Sequence, residues 1–149
     1  MRWQWTAFHD LDLDALYALM MLRQQVFVVE QRCAYQDADG LDPQAWHLLG
    51  WDEGALVAVL RAFAPGLRKA EAVIGRVVTG PSVRGTGWGR PLMRAGMEAT
   101  WRQWGPGPIA ISAQAHLKGY YGSLGFVVTG PGYLEDDIPH LPMRHPGPP

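Results

Sequence analysis

Val77-Val-Thr-Gly-Pro-Ser-Val-Arg-Gly-Thr-Gly-Trp-Gly-Arg90 is the stretch on which the reading of this chain turns. It follows a β-branched run, Val73 to Thr79, and opens a segment in which Leu92, Met93, Gly96, Met97 and Trp104 recur at helical spacing. Where a glycine loop joins a strand to a helix, backbone N–H groups point outward unpaired. The helix dipole adds about half a positive charge at the same place. Gly85, Gly87 and Gly89 carry no side chain to block a diphosphate, Thr86 and Trp88 lie between them, and Arg84 and Arg90 add bidentate donors. Two familiar phosphate loops do not fit. No lysine follows the glycines, as a Walker loop requires, and G-x-G-x-G without an acid roughly 20 positions on is not the dinucleotide fingerprint. Taken alone, the run also reads as a tight connection that binds nothing.

Working outward, Trp3 to Phe8 alternates as a half-buried strand does. Asp10 or Asp12 caps an expected helix whose inner face holds Leu16, Leu19, Met20, the Arg23 stem, Val26 and Phe27. An irregular acidic stretch runs from Glu30 to Asp42. His47–Trp51 and Leu56–Phe63 flank Asp52-Glu53-Gly54, a hairpin signal. Gly75 marks a bulge or a close backbone approach within the next strand. The helix from Gly87 to Trp104 tolerates Pro91 in its first turn. After it come a strand over Pro108–Ala113, a short helix over Ala115–Leu124 ended by Gly125, a strand over Phe126–Thr129, and a last strand over Leu141–Arg144. A hairpin-connected front half followed by βαβ and αβ units predicts a mixed α/β sheet with helices on its faces.

Composition excludes several classes. Hydrophobic residues make up 48% and charged residues 18%, enough for a core and too little charge for a disordered chain. The net charge of −1 argues against a phosphate-coating nucleic-acid binder. The longest apolar run, Ala15 to Leu22, is far short of a bilayer span, and Asp10, Asp12 and Asp14 stand where a signal peptide is apolar. The single cysteine, Cys33, forms no intrachain disulfide, so a cytoplasmic protein is expected. Residues 1–144 read as one domain and 145–149, rich in Pro and Gly, as a tail. No metal is expected: the histidines lack zinc spacing, and Asp37-x-Asp39-Gly-x-Asp42 misplaces the glycine of a calcium loop. The seven tryptophans read as core and cleft packing.

Val77-x-Thr79-x-Pro81-x-x-Arg84-x-x-Gly87-x-Gly89 resembles the cofactor loop of the GCN5-related N-acetyltransferase (GNAT) superfamily, in which [QR]-x-x-G-x-[GA] cradles the acetyl-CoA pyrophosphate. Tyr121-Gly-Ser-Leu-Gly-Phe126 is similar to the Y-x-x-x-G-F ending of that family, at a distance that leaves room for one helix and one strand. Leu22–Gln31, Tyr35–Gly40, Ile74–Val78, Ala113–Leu117 and Tyr133–His140 look like the ElaA-like branch. The resemblance implies a mostly antiparallel central sheet, helices on both faces and a V-shaped cofactor cleft. It implies acetyl-CoA as the acyl donor and an amine, small molecule or protein, as acceptor, with a monomer or homodimer as the assembly. It further implies that the backbone at Val77 and Thr79 hydrogen-bonds the pantetheine arm and that residues 84–90 hold the diphosphate. Gln114 stands where many relatives carry an Asn toward pantetheine.

Amide formation needs a held thioester, a neutral amine, a polarised carbonyl and a proton for the leaving thiolate. Tyr121 matches the family's general acid: a phenol near pKa 10 is suited to protonate a thiolate whose thiol sits near 8.5. Its alternative is packing of the short helix, as for Tyr120. For the base or acceptor side, Glu30, His47, Glu71, His116 and Glu135 are candidates, and no spacing rule selects among them. Water is a further possibility. Charge is unevenly spread: residues 61–102 hold eight basic and two acidic residues, a net +6, and the remainder is −7. That distribution suits a polyphosphate beside acidic segments that attract a cationic amine. Two other readings remain at this point, a non-catalytic acyl-CoA-binding module and a nucleotide-binding protein.

Overall fold

A computed structural model of the chain describes residues 2–149. The strands are β1 (Arg2–Ala7), β2 (Trp46–Asp52), β3 (Ala55–Phe63), β4 (Ala72–Thr79), β5 (Ile109–Gln114), β6 (Val127–Val128), β7 (Tyr133–Glu135) and β8 (Ile138–His145). They form one sheet in the order β1-β2-β3-β4-β5-β8-β6, with β7 also paired to β8. Every pairing is antiparallel except β4 with β5. The helices are α1 (Leu13–Arg23), α2 (Gly89–Trp104) and α3 (Lys118–Ser123). This is the mixed sheet that the sequence pattern predicts, and the mostly antiparallel one that the family resemblance implies.

Period-2 alternation in the central strands sorts their side chains to two faces. On β2 and β3, Leu49 and Val59 join Ala15, Leu19, Leu22 and Val26 of the first helical segment. Leu48, Ala58, Leu60 and Ala62 join Leu92, Met93 and Met97 of α2 and Tyr121 of α3 on the other face. Residues 57–63 of β3 are therefore all buried, as in a strand covered on both sides. Leu19, Leu49, Leu60 and Leu92 are each at most 1% exposed, and each such burial contributes roughly 1.5–3 kcal/mol. Gly96 is what lets α2 lie so close: a Cβ there would sit 2.5 Å from Leu60 Cδ2.

Local chemistry explains the boundaries. The Asp12 carboxylate caps α1 through Ala15 N–H at 2.7 Å. Glu53 and Gly54, both with positive φ, make the two-residue turn between β2 and β3. α2 begins at Gly89, two residues later than expected, which puts Pro91 inside the first turn. Gly125 (φ +98) ends the α3 segment.

Several expectations need correcting. The first helix does not carry Val26 and Phe27 as α: it passes into a π-helical turn over Gln24–Glu30, closed by Gln31 N–H to Val26 O at 3.2 Å. The β-branched run Val26, Val28 and Val29 crowds a regular α-turn, which favours the wider one. The bulge in β4 lies one residue beyond Gly75. Val59 pairs with Val78 and Arg61 with Gly75, so Arg76 and Val77 together oppose Leu60, and Arg76 takes φ +49. The last strand is twice the expected length, and β7 was not anticipated; Asp136 and Asp137 turn between the two with positive φ. β8 also takes in His145, whose ring packs on Trp101 and Phe126, so the irregular tail begins at Pro146.

Candidate active site

β4 and β5 share only two register pairs, Ala72 with Ile109 and Val73 with Ala110. Beyond them the strands part, and the wedge is a cleft of about 600 Å3. Ile74–Thr79 of β4 form one wall and Ile111, Ser112 and Gln114 of β5 the other. The π-helical turn and the segment after it contribute Phe27, Glu30, Gln31, Cys33 and Tyr35. His116, Leu117 and Tyr121 line one end, and Glu135, Asp136, Ile138 and His140 of the β7–β8 hairpin line another. None of the seven tryptophans lines it. Instead Trp3 packs edge-on against Trp88, and Trp5 contacts Trp46 and Trp104.

The glycine loop lies where β4 leaves the cleft and α2 begins. Gly85 (φ +77) and Gly87 (φ +87) are in the left-handed region, with no atom within 4 Å of where a Cβ would be. The first N–H groups of a helix have no intrahelical partner, and α2 is long enough for its dipole to matter. Open space, free donors and a strand wall of main-chain groups fit a diphosphate attached to an extended arm. Val77 and Thr79 supply that wall, and Gln114 faces it from β5, its Nε2 donating to Gln31 Oε1 at 3.4 Å. Arg84 pairs with Glu30 at 2.5 Å and donates to Thr79 O at 3.4 Å. Both partners of that ion pair are substantially exposed, so re-pairing with an incoming anion costs at most about 1 kcal/mol. Arg90 instead bonds Ser123 Oγ and lies over the Tyr120 ring, tying α2 to α3. Thr86 Oγ1 bonds Val83 O and braces the loop, and a Cβ at Gly89 would stand 3.2 Å from Tyr120 Oη.

Tyr121 is 7% exposed and borders the cleft from α3. Burial, helped by neighbouring Tyr120, pushes its phenol up to about 12, so it is protonated throughout the neutral range. The five base candidates separate. Glu30, His116 and Glu135 line the cleft. His47 does not: it is sealed on β2, with Nε2 3.0 Å from Asp42 O, and burial lowers its pKa so that the ring stays neutral. Glu71 is likewise elsewhere, 3.4 Å from Arg144 beside a second pocket of about 470 Å3 at the closed end of β4 and β5.

One constellation escaped the sequence reading. Arg23, treated as an apolar stem, buries its whole guanidinium. Nε donates to Asp37 Oδ2 at 2.8 Å, Nη1 to Asp42 Oδ1 at 2.7 Å and Nη2 to Asp37 O at 2.9 Å. Arg61 adds bonds to Asp39 and Asp42, and Arg76 pairs with Asp37 at 2.8 Å while its guanidinium covers the Tyr35 ring. Burial alone would raise the Asp39 and Asp42 carboxyls. Hydrogen bonds from Arg61 to Asp39, and from Arg23 to Asp42, outweigh it and hold both below the usual carboxylate range. The acidic segment therefore neutralises arginines of the basic window and is not a lure for amines. The available signal was an arginine in the middle of an apolar helix face followed by three aspartates in six residues. Among the described residues no group of three or more His, Cys, Asp or Glu is placed to hold a metal, and no helix is long and apolar enough to cross a membrane.

A sheet that opens between two parallel strands, a glycine loop at the start of a helix and a buried phenol beside both define an acyl-CoA-dependent acyltransferase fold. Residues 20–145 match the family model described as an acetyltransferase (GNAT) domain, and the chain belongs to that family. It is 42% identical to a UPF0039 protein of Synechocystis sp., over 99% of this chain and 96% of that one. An acyl-CoA N-acyltransferase from Pseudomonas aeruginosa superposes with a TM-score of 0.92 at 47% identity, covering 97% of this chain and 99% of that chain. Escherichia coli ElaA superposes with a TM-score of 0.90 at 40% identity, covering 97% and 98%. The ElaA-like resemblance read from the sequence is thereby established.

Proposed function

We propose that the protein moves an acetyl group from acetyl-CoA to an amine by direct attack of the amine on the thioester carbonyl, with Tyr121 protonating the departing thiolate. The observation that carries this reading is the burial of Tyr121 in the same cleft that exposes the main chain of β4. In this reading the backbone of Val77 and Thr79 receives the pantetheine arm as an added strand, Gln114 contacts it from β5, and residues 84–90 hold the diphosphate. A phenol held at about 12 is a reluctant donor to a thiolate in water. Where a bound cofactor displaces water beside the buried Tyr121, the thiolate is desolvated too, its own basicity rises, and the mismatch narrows.

The test combines purified protein, acetyl-CoA and a panel of amines, with free thiol as the readout. Amine-dependent thiol release is expected, and Tyr121→Phe should lower kcat about 100-fold while changing CoA affinity by less than about threefold. Tight CoA binding with no thioester cleavage across a broad panel would instead establish a non-catalytic acyl-CoA-binding module. Unchanged turnover in Tyr121→Phe would reduce that residue to packing.

A further inference from the structure

We infer that His140 and Glu135 receive the acceptor: a cationic primary amine docks its ammonium group on the Glu135 carboxylate and surrenders a proton to His140 Nε2. The inference rests on the acetyl-transfer reading and names the group that makes the amine a nucleophile.

Sequence places the two residues on facing strands of a tight hairpin. Asp136 (φ +50) and Asp137 (φ +62) form the turn, and Glu135 pairs with Ile138 across it. His140 is fixed from three sides. Its ring stacks on Tyr133 of β7, with centroids 6.1 Å apart and planes 17° apart, and Tyr133 is itself bonded to Ser112 of β5. On the other edge of β8, His140 stands opposite Gln114. Cys33 Sγ donates to Asp136 O at 3.4 Å and ties the turn to the opposite wall of the cleft.

The ring's polar contacts decide its chemistry. Nδ1 lies 2.7 Å from Ile138 O, and a carbonyl only accepts, so Nδ1 carries a proton in the neutral ring. Nε2, 3.3 Å from Glu135 Oε2, is then the nitrogen that gains and loses the second proton. With the ring neutral, the Nε2 lone pair and the Glu135 carboxylate are both acceptors, 3.3 Å apart at the cleft. A primary ammonium, with three donors and a positive charge, is complementary to such a pair of acceptors. Glu135 is half-exposed and reachable from solvent, whereas His140 is 8% exposed and held.

The other candidates are less suited. Glu30 is engaged by Arg84, and His116 is exposed with no hydrogen-bond partner among the described residues to fix its tautomer. Among the charged or titratable groups that line the cleft with His140 are Glu135 of β7, Asp136 of the turn, Cys33 bonded to that turn, and His116, while Tyr133 stacks on the ring. Arg76 across the cleft is already matched by Asp37 and Asp39.

The proton account closes. One N–H bond of the ammonium breaks and its proton goes to His140 Nε2, leaving a neutral amine. Its lone pair forms the C–N bond to the thioester carbonyl, the C–S bond breaks, and Tyr121 gives its proton to sulfur. The second nitrogen proton restores the Tyr121 phenol, and His140 releases its own to solvent, one proton per turnover.

Two readouts test the inference. The first needs no acetyl transfer: ring-nitrogen NMR of labelled histidines should show His140 as the Nδ1–H tautomer, with Nε2 shifting when butylammonium chloride is added to the CoA-bound protein. The opposite tautomer, or no shift, overturns the proposal even if the protein has no detectable turnover. The second compares strongly basic alkylamines with weakly basic amines that are already neutral at the assay pH. His140→Gln should lose about 100-fold in kcat/KM on alkylamines and less than about fivefold on weakly basic amines, and should lose the acid limb of the alkylamine pH profile. Equal losses on both amine classes would mean a structural role and overturn it. Should His140→Gln fail to fold, the half-exposed Glu135→Gln decides: KM for alkylamines should rise about tenfold while KM for acetyl-CoA is unchanged, and an unchanged alkylamine KM overturns the proposal. Absence of thiol release from wild type with every amine counts against the acetyl-transfer reading instead.

Discussion

Replacing Arg23 by Met tests whether the buried ion cluster, and not apolar packing alone, fixes the segment between α1 and β2. The side chain of Arg23 is 1% exposed, and those of Asp37 and Asp42 are 2% and 5% exposed, so solvent cannot take over the lost contacts. Removing one member of a buried charge set costs about 3–5 kcal/mol, because carboxylates are left behind in a poor dielectric. Here the surviving partners soften the loss. Asp42 keeps Arg61 Nη1 at 2.9 Å, and Asp37 keeps Arg76 at 2.8 Å and the Tyr35 hydroxyl at 2.7 Å. The low end is therefore expected, about 3 kcal/mol, which for a chain of this length lowers Tm by roughly 6–12 °C. Urea unfolding at pH 7 measures it, and repeating the titration at 0.5 M salt should leave the difference unchanged, since buried pairs are little screened. A loss below about 1 kcal/mol, or one that shrinks with salt, would refute the reasoning and recast the cluster as a surface network.

Three further outcomes follow from the geometry. Gly87→Val places a branched side chain at φ +87 and into the space proposed for the diphosphate, so CoA affinity by calorimetry should fall at least 100-fold while the fold persists; wild-type affinity would show that the loop is not the donor site. Gly96→Ala drives a methyl group to 2.5 Å from Leu60 Cδ2 and should destabilise by about 1–3 kcal/mol in urea, with no loss contradicting the close approach of α2 to β3. Stability should fall in two stages on acidification. Burial lowers the pKa of His47 and His145 in the folded state, so the unfolded chain takes those protons first and stability erodes as pH drops below about 6.5. Asp39 and Asp42 are held low when folded, so their contribution, present above their unfolded pKa near 3.9, is lost below it. A urea midpoint that stays flat from pH 8 to pH 4 would contradict the histidine assignment, and one that stays flat from pH 4 to pH 2 would contradict that of the aspartates.

The regular elements were legible because periodicity reports burial directly. The apolar run over residues 56–63 beside the Asp52-Glu53-Gly54 turn gave β3, and the apolar face of 92–104 gave α2. The glycine loop was legible because so few backbones need glycine at alternate positions. What escaped notice depends on partners distant in sequence. Arg23 looks like any amphipathic stem until Asp37 and Asp42 fold over it, and His140 looks like a lone histidine until β7, a three-residue strand with exposed side chains, folds back on β8. The offset of the bulge to Arg76 is of the same kind: its left-handed backbone is held by Asp37 and Asp39, residues some 40 positions earlier, and no local propensity announces it. Glu71 and His47 lie away from the cleft for a related reason, since composition cannot say which end of a strand, or which side of a sheet, faces the opening.

The parting of β4 from β5 has a consequence for how this cleft tolerates change over generations. One wall offers peptide groups, and every residue type but proline presents the same N–H and C=O. Side-chain changes at Val77 and Thr79 that the packing tolerates would thus leave intact the ladder that an extended guest would use, while Val78 between them is held by the core. If the hairpin wall at Glu135 and His140 receives the acceptor as proposed, it has no such insurance, because there a single codon removes the functional atom. On that proposal inheritance in this molecule is asymmetric: the common guest would be read by the invariant part of the polymer, and the particular guest by the part that mutation rewrites.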